Sequence, residues 1–118
     1  DMAHAVADVA EIFKLPVLGM SATCQERVCK QRGVAFIAEF FADLDYNDDG
    51  GLIITREHEA KDPAAAAAKC VRAIKEGVVR STGGKDVPVR AETICVHSDT
   101  PGAAAIAKAV HEAVQPYF

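Results

Sequence analysis

His97 and Asp99 stand two residues apart, between the aliphatic run Thr93-Ile94-Cys95-Val96 and a Thr100-Pro101-Gly102 segment that opens a helix. An imidazole and a carboxylate at the end of a strand, directly before a helix, suit an acid/base pair or a substrate clamp. Loops converge there, and helix N-termini present unpaired N–H groups. Capping by Asp99 or Thr100, with His97 on a backbone carbonyl, is the competing reading of the same residue types. A second acidic cluster runs from Glu39 through Asp43, Asp45, Asp48 and Asp49 to Gly50. Counted from Asp45, Asn47, Asp49 and Gly50 fall at the third, fifth and sixth places of an EF-hand calcium loop, and Leu52 takes the apolar eighth. The bidentate Glu that should close the loop is replaced by Arg56, and Glu57 comes one residue late. No metal site is expected, and a calcium-binding loop of EF-hand type stays as an alternative function.

The other candidates are weaker. Cys24 and Cys29 lack the C-x-x-C spacing of a redox pair or zinc knuckle, and the four cysteines are expected to be reduced thiols. Ser81-Thr82-Gly83-Gly84-Lys85 lacks phosphate-loop spacing and reads as a hairpin-like turn. His4, His58 and His111 read as surface histidines.

These residues must be positioned by regular elements. Ala3, Val6, Val9, Ile12 and Phe13 are spaced as in a helix already under way, so the chain reads as a fragment or processed product. Lys14–Met20 contains a short buried strand. Thr23–Arg32 is a polar amphipathic helix that Gly33 can end, and Val34–Phe41 favours strand by its β-branched and aromatic content. Residues 42–61 read as a long loop with Leu52-Ile53-Ile54 extended within it. Asp62-Pro63 supplies a cap and a first-turn proline for a helix over Ala64–Glu76, stopped at Gly77. Glu92–His97 is a strand, and Thr100-Pro101 repeats the cap signature before a last helix over Gly102–Val114. Helices alternating with strands imply an α/β fold with parallel strands and right-handed helical crossovers.

Composition bounds the function classes. The chain has 118 residues, a net charge of −4 and no block of Lys or Arg, which argues against nucleic acid or an anionic membrane as partner. No apolar run reaches the roughly 20 residues of a membrane helix, and no secretion-signal pattern opens the chain, so a cytoplasmic location is expected. The length suits one unit over residues 1–118.

Three stretches carry a resemblance. They are Glu39-Phe-Phe-Ala-Asp43-Leu-Asp-Tyr46-Asn-Asp-Asp49-Gly-Gly-Leu52-Ile-Ile-Thr-Arg56, then Glu76-Gly77-Val78-Val79 ahead of Gly84-Lys85, and finally Thr93–His97 with Asp99-Thr100-Pro101-Gly102. In this order they make the chain similar to the C-terminal half of the LamB/YcsF family. Leu44, Thr55 and Ser98 stand where many relatives carry Arg, Pro and Gly. The resemblance implies an irregular seven-stranded β/α barrel of the deacetylase kind. It also implies a hydrolase acting with ATP and with 5-oxoprolinase subunits B and C to open the lactam ring of 5-oxoproline to glutamate. Such chemistry needs proton-transfer groups and donors for a developing oxyanion. On this reading His97, Asp99 and Asp43 are the expected catalytic residues, and Asp49, Arg56 and Tyr46 the expected substrate contacts. A third reading is an inactive scaffold whose open sheet edge drives a homo-oligomer.

Overall fold

The computed structural model describes residues Asp1 to Phe118. The Asp1 carboxylate accepts the Ala3 N–H at 2.9 Å and starts α1 (Met2–Phe13), followed by β1 (Val17–Gly19), α2 (Cys24–Arg32) and β2 (Phe36–Phe41). Packing divides the chain into two compact units, Asp1–Glu39 and Phe40–Phe118.

In the first unit β1 and β2 pair in parallel, Val17 opposite Phe36 and Gly19 opposite Ala38, with α2 as the crossover between them. Local chemistry sets the limits of α2. The Thr23 hydroxyl accepts the Glu26 N–H, the Glu26 carboxylate accepts the Ala22 N–H at 2.7 Å, and Gly33 closes the helix at φ +72°. Helix α1 turns its alanines inward. Ala3 and Ala7 meet Val28, while Ala10 meets Val17 and Cys29. Its larger residues face out, with Met2 83%, Ile12 72% and Phe13 66% exposed. Arg32 ties α2 to α1 through a two-point contact with Glu11 and a 2.7 Å contact with Asp8.

In the second unit, β7 (Thr93–Cys95) is the sheet neighbour of β2, and Ala42 donates its N–H to the Cys95 carbonyl at 3.0 Å. The stretch expected as loop folds into an antiparallel hairpin of β3 (Asp45–Tyr46) and β4 (Leu52–Ile53). Its turn is held by the Asn47 side-chain oxygen, which accepts the N–H groups of Asp49 and Gly51, each at 2.9 Å. No helix–loop–helix forms here, which removes the EF-hand reading. The acidic side chains are engaged elsewhere, Asp45 with Lys61 at 2.8 Å and Asp48 with the Ser81 hydroxyl at 2.6 Å. That Ser81 bond is the main reason the Asp48 carboxyl lies below its ordinary range.

Helix α3 (Pro63–Glu76) begins and ends where the cap and glycine signals place it, with the Asp62 carboxylate on the Ala65 N–H at 2.8 Å and Gly77 at φ +66°. Asp62→Ala is expected to cost about 1 kcal/mol, read as a lower urea midpoint with an unchanged slope. A second hairpin follows, β5 (Val78–Arg80) with β6 (Asp86–Pro88), and its Thr82 N–H bonds the Tyr46 carbonyl at 2.9 Å. Helix α4 (Ala103–Val114) packs on α3. The core of this unit holds Phe40, Tyr46, Cys70, Val79 and Ile106, with Phe40 stacked on Tyr46 at 5.3 Å.

The first unit thus holds the parallel β1–β2 pair, and the second holds two antiparallel hairpins. The expected α/β character and the parallel β1–β2 pair are present, but these sheets do not by themselves close a barrel.

Candidate functional site

Asp43 follows β2 by two residues and His97 follows β7 by two, so neighbouring strands deliver both to one rim. The Asp43 side chain is fully buried, and His97 meets it twice. The His97 backbone N–H donates to Oδ2 at 2.9 Å, and ring atom Nδ1 lies 3.0 Å from Oδ1. The Thr100 hydroxyl adds a third donor to Oδ2 at 2.6 Å. Burial pushes the Asp43 carboxyl up, but Thr100 and the two His97 donors outweigh it and hold the carboxyl below its ordinary value.

An ionised, acceptor-only Asp43 fixes the protons around it. Nδ1 of His97 must carry hydrogen, so in the neutral ring the lone pair is on Nε2. Thr100 has one hydroxyl hydrogen and commits it to Asp43. His58, whose Nδ1 lies 3.0 Å from the Thr100 hydroxyl oxygen, must therefore donate from Nδ1, and in its neutral ring the lone pair is likewise on Nε2. The bonds assign these tautomers. The two rings meet edge to face at 5.6 Å, and Phe41 stacks on His97 at 5.7 Å, fixing its plane. The cluster thus presents two oriented basic nitrogens beside a buried negative charge, an arrangement able to accept and return protons.

Asp43 and His58 also line a small cavity of about 40 Å³, with Asp45, Thr55 and Lys61 on its other walls. That is room for about one water-sized group or carbonyl. A second cavity of about 130 Å³ shares Asp45 and Lys61 and reaches Lys69. The Lys69 ammonium donates to the Leu44 carbonyl at 2.7 Å and sits 5.6 Å from the Phe40 ring centroid; burial lowers its pKa.

The family model described as "LamB/YcsF family" matches residues 1–117. The chain belongs to the LamB/YcsF family. The protein named as the A subunit of 5-oxoprolinase in Mycobacterium marinum is 41% identical over 116 residues, 95% of this chain and 46% of that protein. Another 5-oxoprolinase A subunit, from Bordetella bronchiseptica, is 40% identical, covering 97% of this chain and 45% of the relative. The crystal structure of a lactam utilization protein from Thermus thermophilus superposes with a TM-score of 0.83 at 31% identity, over 97% of this chain and 47% of that one. This LamB/YcsF chain spans a little under half the length of these relatives.

The site residues expected in the family member divide into two groups. Asp43 and His97 are in direct contact, and Asp99, exposed, places Oδ1 3.4 Å from Nδ1 of His58. Tyr46 belongs to β3, Asp49 to the turn of the β3–β4 hairpin and Arg56 to the stretch after β4. Tyr46 is buried, its hydroxyl accepting the Phe41 N–H at 3.0 Å, while the Asp49 and Arg56 side chains are exposed in and beyond the β3–β4 hairpin. His58, expected at the surface, has a side chain only 13% exposed and belongs to the cluster. Thr100, expected as a helix cap, bonds Asp43 instead. The N-cap is Gly102, with no side-chain cap bond.

Proposed function

We propose that this LamB/YcsF chain contributes the ring-opening site of a 5-oxoprolinase, which converts 5-oxoproline to glutamate with consumption of ATP. The names of the relatives support the family activity. The observation that carries the reading to this chain is the 3.0 Å contact between buried Asp43 and ring atom Nδ1 of His97, which leaves Nε2 as a fixed proton acceptor.

In this reading Asp43 orients the imidazole and stabilises it when protonated. His97 moves the proton between the nucleophile and the ring nitrogen. His58, in contact with Thr100 and Asp99, holds a second proton-accepting nitrogen at the cavity wall. Lys61 supplies positive charge to that cavity. Asp49 and Arg56 meet substrate from the hairpin surface, and Tyr46 acts indirectly by holding the Phe41 backbone. ATP belongs to the assembled complex with subunits B and C. The 40 Å³ cavity beside Asp43 is too small for a nucleotide, and Ser81 and Lys85 of the glycine turn are turned toward Asp48. The test mixes the chain with 5-oxoprolinase subunits B and C, ATP and 5-oxoproline. Glutamate and ADP formed only when the chain is present support ring opening by it, and no glutamate above the chain-free control overturns it.

A further inference from the structure

Cys95, which no role above uses, ends β7 two residues before His97. Its Sγ lies 4.0 Å from Nε2 of His97, and Nδ1 of the same ring is the atom held by Asp43. The thiol is half-buried and outside any disulfide. A nucleophile on one imidazole nitrogen, with a buried carboxylate fixing the other, is the geometry that activates thiols and hydroxyls on unrelated folds. The 4.0 Å separation is of the loose kind met before substrate draws such a pair together. Asp43 imposes the tautomer this needs, because its contact keeps hydrogen on Nδ1 and the lone pair of Nε2 toward sulfur. The Phe41 stack holds the ring in that plane.

We propose that Cys95, His97 and Asp43 form a catalytic triad in which the Cys95 thiolate is the nucleophile toward the carbonyl carbon of a cyclic amide. The Sγ proton passes to Nε2 of His97 and an S–C bond forms. The ring C–N bond then breaks, and the departing nitrogen takes the proton from His97, leaving an open-chain amine joined to the protein as a thioester. Water gives a proton to Nε2 and adds to the thioester carbon. The C–S bond breaks, and the sulfur recovers its proton from the imidazolium. The bonds made and broken at the triad balance as one lactam and one water to one amino acid, with no oxidant or reductant, and the ATP consumed belongs to the assembled complex.

The choice of a lactam rests on the proposed 5-oxoprolinase reading, whereas the activated thiol rests on the geometry alone, and the tests separate the two. The first uses the Cys24→Ser chain, which removes the exposed thiol, and follows iodoacetamide labelling by mass spectrometry. Cys29 and Cys70 are fully buried, and burial pushes the Cys70 thiol up to about 11, so both are protected while the chain is folded. Near pH 7, Cys95 is expected to react about tenfold faster than the same thiol in urea-unfolded chain. Its rate is expected to persist well below the ordinary thiol pKa of about 8.5. His97→Gln should return it to a single ionisation near that value. A Cys95 that stays unlabelled, or whose pH profile is the same with and without His97, overturns the triad.

The second test measures ring opening in the complex with subunits B and C. Cys95→Ala is expected to lower turnover by about 10³-fold or more, and unchanged turnover overturns the nucleophilic role. A His97-dependent labelling profile together with no lactam opening by the unsubstituted complex would uphold the activated thiol and overturn the 5-oxoprolinase reading.

Discussion

Asp43→Asn is expected to lower the unfolding free energy by about 3 kcal/mol, the largest loss of stability from any single substitution at the site. The carboxylate is fully buried and accepts from the Thr100 hydroxyl, the His97 backbone N–H and the His97 ring. An asparagine of the same shape offers one acceptor oxygen and an NH2 group. With its NH2 at Oδ2 the asparagine sets a donor against the Thr100 hydroxyl and the His97 N–H, and with its NH2 at Oδ1 it forces the His97 ring to move its proton from Nδ1 to Nε2, while in both cases the buried charge that three donors met is lost. Thr100→Val removes one of the three donors and is expected to cost less, about 1 kcal/mol. Urea denaturation of the two variants checks both size and order, and an Asn variant as stable as the parent would refute the bonding scheme.

The same contacts set the acid limb of the stability curve. The folded Asp43 carboxyl lies below its ordinary value, while the unfolded one titrates near about 3.9. The unfolded state therefore binds the proton first as pH falls. The contribution of Asp43 is whole above that value and disappears as pH drops through the lower folded pKa. Asp43→Asn has no such proton to bind. Its unfolding free energy should thus fall less steeply than the parent's below about pH 4.

What could be read from the chain without coordinates follows the range of the forces involved. The limits of α2 and α3 were legible because Thr23, Gly33, Asp62, Pro63 and Gly77 act within one helical turn of themselves. The β3–β4 and β5–β6 hairpins were less so. Strands of two or three residues are too short to display alternation, and Asp45-Tyr46 becomes a strand only by pairing with Leu52-Ile53. Helix periodicity placed α1 but not its orientation, since the face carrying Ala3, Ala7 and Ala10 allows close approach to α2 and the larger side chains turn outward. Within the site, Asp43 and His97 were legible as strand-end residues of an α/β fold. The roles of Thr100 and His58 were not. The Thr100 hydroxyl finds its acceptor 57 positions away at Asp43, and the His58 ring meets Thr100 across 42 positions. Local pattern offers each a nearer and simpler duty, a cap for the threonine and water for the histidine.

His97→Gln is expected to reduce lactam turnover in the complex by about 10³-fold, equivalent to about 4 kcal/mol of transition-state stabilisation. The unfolding free energy should change by less than about 1 kcal/mol. The two effects separate because His97 serves Asp43 with two different groups. Its backbone N–H contact at 2.9 Å does not depend on the side chain, and the Thr100 bond at 2.6 Å is also untouched, so the buried carboxylate keeps two of its three donors. A glutamine amide can approach the third position, but it has no titratable nitrogen with which to carry a proton. The ring is also a third exposed, so its replacement opens little cavity. His58→Gln should slow turnover less, because its nitrogen reaches Asp43 only through the Thr100 hydroxyl. Initial rates of glutamate formation and urea midpoints for both variants decide the matter. Turnover preserved in His97→Gln would leave the Asp43–His97 contact a structural bond and take proton transfer away from this rim.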